Sequence, residues 1–216
     1  MAEKSTKTGT NLADEAKVMF GDVDEVQATD ADWLRWINNG QREIVAVNPI
    51  LQDTVLHDIT AGTNTYSYPA DYIQYIQQLY YDGVPLTSYS YNEAIEYLLR
   101  EGTPTTTGTP IIWYTWAQQI ILYPTPDETL ASGLRIDFVR IPTDLTALTD
   151  PIDLPDRYYQ TLLDYVLGRV HELDENPEMS SLKRNDFAEG LGKLSEQENK
   201  VRINSYPTIT VRPEDF

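Results

Sequence analysis

The spacing of apolar residues changes twice along this chain, and that change sets the fold class. Before Asn48 and after Pro155, apolar positions recur at helical intervals of three and four residues. Between Pro49 and Thr149 the spacing gives way to short runs rich in β-branched and aromatic residues. These are DTVLHDI, TYSY, YIQYIQQLYY, PIIWYTW, QIILYP and LRIDFVRI, and runs of that kind read as strands. Turn formers separate them at AGTN, Asp82-Gly83, Ala117-Gln118, Pro124-Thr125-Pro126-Asp127 and Ser132-Gly133. Tyr81-Asp82-Gly83-Val84 predicts a hairpin, because Asp-Gly accepts the positive φ values of a type I′ turn. One helix interrupts the strands, SYNEAIEYLLREG, with Ser or Asn as cap and Gly102 as its stop.

Helices flank this stretch. A short one is expected from Asn11 to Phe20, stopped by Gly21. A longer one starts at Thr29 or Asp30, either of which can accept the first free N–H groups, and ends at Asn48-Pro49. Its stripe is Trp33, Ile37, Ile44 and Val47, with Asn38, Gln41 and Arg42 expected to face away. Two more run from Pro155 to about Asp174 and from Pro177 to about Val201, each with proline in its first turn. The expected fold is α+β: an antiparallel helical bundle of N- and C-terminal helices with an inserted, mostly antiparallel β domain. The expected boundaries are 29–48 with 150–203 for the bundle and 49–149 for the β domain with its one helix. Residues 1–28 are expected to be a flexible segment with a short helix, and 204–216 an extended arm.

The helix after Pro155 is apolar on more than one side. Tyr158, Leu162, Tyr165, Val166, Val170 and Leu173 make one face, and Tyr159, Leu163 and Leu167 an adjacent one. Only the line Asp156, Gln160, Asp164, Gly168, His171, Glu175 is polar. So wide an arc needs cover on two sides. The reading favours a second copy as the other cover, which makes Tyr159, Leu163 and Leu167 the expected subunit interface.

Composition excludes several classes of function. The chain carries 34 acidic against 16 basic residues, a net charge of -18, which opposes any grip on nucleic-acid phosphates. The same charge suits a surface that DNA must pass without sticking. There are no cysteines, hence neither disulfides nor thiolate metal sites. No secretory signal and no membrane-length apolar run are found. Tyrosine and tryptophan, 15 and 4 against 4 Phe, suit half-buried sheets and protein interfaces.

No constellation of residues points to catalysis, and no cofactor is expected. The two histidines, His57 and His171, lack a helical partner at metal-ligand spacing. The segment Gly102–Gly108 has no lysine, and its proline, Pro104, removes an N–H donor that a phosphate cradle would need. The acidic run Asp22, Asp24, Glu25, Asp30, Asp32 fails the calcium-loop spacing, and its charge is better placed near the start of the Asp30 helix. No pair of carboxylates stands out among the acids as glycosidase-like. The expected catalytic and metal residues are therefore none.

Five phrases, in order, carry a family resemblance: DWLRWINNGQREI at 32–44, TYSYPADY at 65–72, YYDGVPL at 80–86, ILYPTPD at 121–127 and IDLPDRYYQTLLDYVLGRVHELDE at 152–175. The chain resembles the head-to-tail adaptor, or connector, proteins of tailed bacteriophages, of the tail tubular protein A type. The resemblance implies a non-enzymatic virion protein in the phage neck, assembled in the host cytoplasm. It implies a dodecameric ring of identical copies, bound to the portal protein on one side. On the other it meets a downstream tail component such as a nozzle or tail-completion protein. DNA passes through the channel without specific binding, and no membrane is involved.

The final segment, INSYPTITVRPEDF, is expected to be an arm that orders on the portal or a neighbour by strand addition. Its candidate contact residues are Tyr206, Pro207, Ile209, Val211 and Phe216. Two other readings compete: a glycan-binding module using Trp113, Tyr114 and Trp116, and a tail-associated muralytic enzyme using carboxylates.

Overall fold

The computed structural model describes residues 5–21, 28–68, 73–101 and 107–205. The chain divides into two compact units, Met1–Ala2 with Ile50–Ile141, and Glu3–Pro49 with Pro142–Phe216. The fold is α+β, with five helices and two mostly antiparallel sheets among the described residues.

The second unit is built from helices. Helix α1 spans Gly9–Phe20. Thr8 and Asn11 form a reciprocal capping box at its start, and Gly21 closes it in the left-handed region at φ 90°. Helix α2 spans Asp30–Val47 and opens on a second such box, between Thr29 and Asp32.

The polar side of α2 differs from the sequence expectation. Gln41 is fully buried, and its Oε1 accepts the Asp153 N–H at 2.8 Å. Asn38 donates to the Leu145 carbonyl at 3.0 Å and accepts the Leu145 N–H at 2.8 Å. Both therefore face inward, where they satisfy the backbone of the irregular 141–155 segment, which makes few ladder bonds of its own. Val47, expected in the apolar stripe, is exposed, and Val45 is buried instead.

A 3₁₀ turn at Asp156–Tyr158 leads into α4, Tyr159–Leu173. The hydroxyls of Ser5 and Thr6 both donate to the Asp156 carboxylate, at 2.5 and 2.8 Å. Those bonds hold its carboxyl below the usual range, and they fasten the chain before α1 to the turn. Helix α5 runs Pro177–Ser205, past the expected stop. Asn204 and Ser205, expected to open the extended arm, are its last helical residues.

The other unit contains two four-stranded sheets. The strands are β1 Gln52–Ile59, β2 Thr65–Ser67, β3 Ile73–Tyr81, β4 Val84–Pro85, β5 Thr87–Ser88, β6 Ile112–Trp116, β7 Gln119–Tyr123 and β8 Leu130–Arg140. One sheet has the order β1-β8-β3-β4 and the other β2-β7-β6-β5. All pairings are antiparallel except β5 with β6.

Both sheets contribute to a single core. Ile59, Leu79, Leu134, Ile136 and Phe138 from the first meet Tyr66, Trp113, Ile120 and Leu122 from the second. The helix α3, Tyr91–Glu101, begins with Ser90 and Glu93 bonded reciprocally.

The Tyr81–Val84 hairpin forms as its sequence predicts, with φ of 46° at Asp82 and 77° at Gly83. A side chain at the second position meets the left-handed penalty. Gly83→Ala should therefore lower stability by about 1 kcal/mol, read as a shift in the denaturant midpoint at constant m. Ala117-Gln118, at φ 50° and 60°, makes the same kind of turn without any glycine.

Candidate interaction surfaces

Most of helix α4 is buried within its own unit, although Leu173 at its end is exposed. Leu162, Leu163, Val166, Leu167 and Val170 are all buried, with Leu163 at 0% and Leu167 at 2% exposure. Gly40 of α2 lets that helix approach Leu162 and Tyr165 closely. On the α5 side, Lys183 Nζ donates to Asp164 Oδ1 at 2.9 Å and to Asp186 Oδ2 at 3.1 Å. Gly168 lies against Lys183 and Arg184. Asp164 and Gly168, expected on an outward polar line, are thus both buried beneath α5.

The remaining line is Tyr159, Leu163, Leu167, His171, spaced four apart on one face. It turns toward α1. Tyr159 donates to Glu15 Oε2 at 2.8 Å, and Phe20 meets the His171 ring edge-on at 5.3 Å. Leu12, Ala13 and Ala16 are buried on the facing side of α1. Tyr159, Leu163 and Leu167 were expected to be a subunit interface because the arc needed a second cover. Leu163 and Leu167 are covered by α1 within the single chain, so the width of the arc does not by itself demand a second copy. The missed signal was Leu12 with Ala13 and Ala16, a buried face in which one large apolar residue is accompanied by two small ones that allow close packing.

Burial tunes the titrating groups here. Desolvation raises the Tyr159 hydroxyl well above its usual value, and the bonded Glu15 and nearby Asp14 add to it. Tyr158 is pushed up to about 12, chiefly by burial and then by Glu198. His171 is lowered, first by burial and further by Lys183, with Asp174 opposing. Its folded value thus lies below the unfolded value of about 6.5. The linkage contribution is fully present above that pH and is lost as pH falls below it toward the folded pKa. Amide exchange in α1 should accelerate as pH drops through that window, after correction for intrinsic rates. His171→Gln should flatten the response, and an identical profile in both proteins would count against it.

Other surfaces carry less chemistry. A cleft of about 310 Å³ is lined by Glu43, Tyr165, Gly168, Arg169, Arg184 and Phe187. Its two arginines already pair with Glu172. On α3, Tyr91, Ile95 and Leu99 form a partly exposed stripe, and Tyr91 stacks on Trp116 at 4.1 Å. Trp113 and Tyr114 are buried, so the three rings proposed as a sugar platform do not share a surface. Among the described residues strand β1 pairs only with β8, and Gln52, Asp53, Thr54, Leu56 and Asp58 along it are exposed.

Among the described residues no group of three or more His, Asp or Glu could hold a metal, and no helix is long and apolar enough to cross a membrane. His57 is half-buried in β1, with Nε2 lacking a hydrogen-bond partner. Asp22, Asp24 and Glu25 of the acidic run lie outside the described residues, as do residues 102–106. So do the expected arm contacts Tyr206, Pro207, Ile209, Val211 and Phe216.

No curated protein matches the chain at a significant level. The family model of the SU10 adaptor protein matches residues 7–212, which takes in both units and every helix and strand described above. The chain therefore belongs to the SU10 adaptor family, a family of phage head-tail adaptors.

Proposed function

We propose that this protein closes into a ring, dodecameric in stoichiometry, that joins the portal to the tail and continues the DNA channel. Membership of the adaptor family over residues 7–212 is the observation that carries this reading. The net charge of -18 supports it, because a channel wall rich in carboxylates repels phosphate and lets DNA slide during ejection.

A closed ring needs two different patches per copy that meet by rotation. Since the α4 arc is covered internally, those patches are sought elsewhere, on the exposed strand edges and the α3 stripe. The protein acts as a structural part of the virion neck rather than as a catalyst. Its partners are its own copies, the portal protein and a downstream tail component such as a nozzle or tail-completion protein. It is assembled in the host cytoplasm without a membrane.

Co-sedimentation with purified portal rings, followed by imaging, tests the reading. The expected result is saturable binding with a closed ring of copies on the portal face. Sedimentation as free monomer at every portal concentration would overturn it.

A further inference from the structure

The sheets leave four strands at their edges, and they differ greatly in length. β2 has three residues, and β4 and β5 have two each. β1 has eight, bonded on one side only among the described residues. A bare edge of that length invites another strand unless something occupies it, and here two of its N–H groups are engaged only locally, Gln52 with the Ile50 carbonyl and Thr54 with the Asp53 carboxylate. The chain itself contains a segment suited to the place. Thr208-Ile209-Thr210-Val211 alternates β-formers with strict period two, and Pro207 and Pro213 bound it on either side.

We propose that residues 208–212 of one copy add as an outer strand to the free edge of β1 in a neighbouring copy, an inference that rests on the ring reading above. The two faces of β1 match the two faces of this segment. Val55, His57 and Ile59 turn toward the core of their unit, while Thr54, Leu56 and Asp58 are exposed. Ile209 and Val211 then extend the inner face, and Thr208 and Thr210 fall on the outer one beside Thr54 and Leu56. Arg212 brings a positive charge to an edge that carries Asp53 and Asp58. The other edges cannot take the segment, because a strand of about five residues needs a ladder of similar length.

The chain has no cysteine, so introduced thiols report pairing without background. Gln52→Cys, Thr54→Cys and Leu56→Cys are each mixed with Thr210→Cys, allowed to assemble on purified portal rings, and oxidised. All four positions fall on the outer face of the proposed ladder, so a register slip of two residues is still detected. The expected result is a disulfide-linked pair of chains in at least one mixture, and none with any variant alone. Thr210→Pro, combined with the β1 cysteines and a cysteine at Thr208, should cut that yield at least tenfold while far-ultraviolet dichroism of the monomer stays unchanged.

Complete rings without cross-linked pairs would overturn the strand inference and leave the ring reading standing. A closed single-chain link in a doubly substituted monomer would do the same. Failure of the wild-type chain to form any ring would sink both.

Discussion

Leu163→Ala is expected to destabilise the isolated chain by about 3 kcal/mol, the central range for truncating a fully buried leucine. Leu163 has no exposure, and it sits between Tyr159 and Leu167 on the α4 line that α1 covers. Truncation removes its contacts there and leaves a void that small residues such as Ala13 and Ala16 cannot refill. For a chain of this size that corresponds to a fall in melting temperature of roughly 6–12 °C. Calorimetry on the unassembled protein is the deciding measurement. A subunit-interface residue would leave the monomer within about 0.5 kcal/mol of wild type, as surface substitutions do. That outcome would restore the interface and undo the assignment of α1 as cover.

The second large effect is expected from Gly40→Val. A methyl at Gly40 would lie 2.5 Å from Leu162 Cδ1 and 2.8 Å from Tyr165 Cδ1, well inside contact distance. Leu162 is itself fully buried and cannot swing away freely. Overpacking of this kind costs about 3 kcal/mol, offset only slightly by removing a flexible glycine from a helix. Gly40→Ala is the informative companion. Its helix-propensity gain of about 1 kcal/mol opposes a smaller clash, so its loss should be clearly less than that of valine. Equal stability of all three proteins in urea would show that α2 and α4 are not in close contact.

Where local chemistry decides, the sequence is a good guide to this molecule. Thr29 and Asp32 box the start of α2, Gly21 ends α1, and Asp82-Gly83 turns the β3–β4 hairpin. Each is set by residues within four positions of one another. The family resemblance likewise lies in continuous phrases, and the match over 7–212 bears it out.

What stayed hidden depends on partners distant in the chain. Gln41 reads as a surface glutamine until the backbone of Asp153 needs an acceptor. Gly40 reads as a weak point in a helix until Leu162 and Tyr165 press against it. The facing side of α1 has a single large apolar residue, Leu12, beside Ala13 and Ala16, so only a short hydropathy stripe announces that it covers the broadest apolar helix in the chain. Exposed surfaces are the least legible of all, since a free edge such as β1 is defined by what fails to pair with it.

The strand order makes the sheet-bearing unit separable from the helices. The chain enters the sheet-bearing unit through β1 and leaves it through β8, and these two strands are antiparallel neighbours. Gln52 pairs with Val139, and the Arg140 N–H donates to the Leu51 carbonyl at 2.9 Å. Entry and exit are thus about 5 Å apart, the spacing of one ladder rung. The whole cassette can be spliced out and its ends rejoined by a few residues, at a small closure cost. A lineage could exchange this module for another of different size while the helices keep their own core.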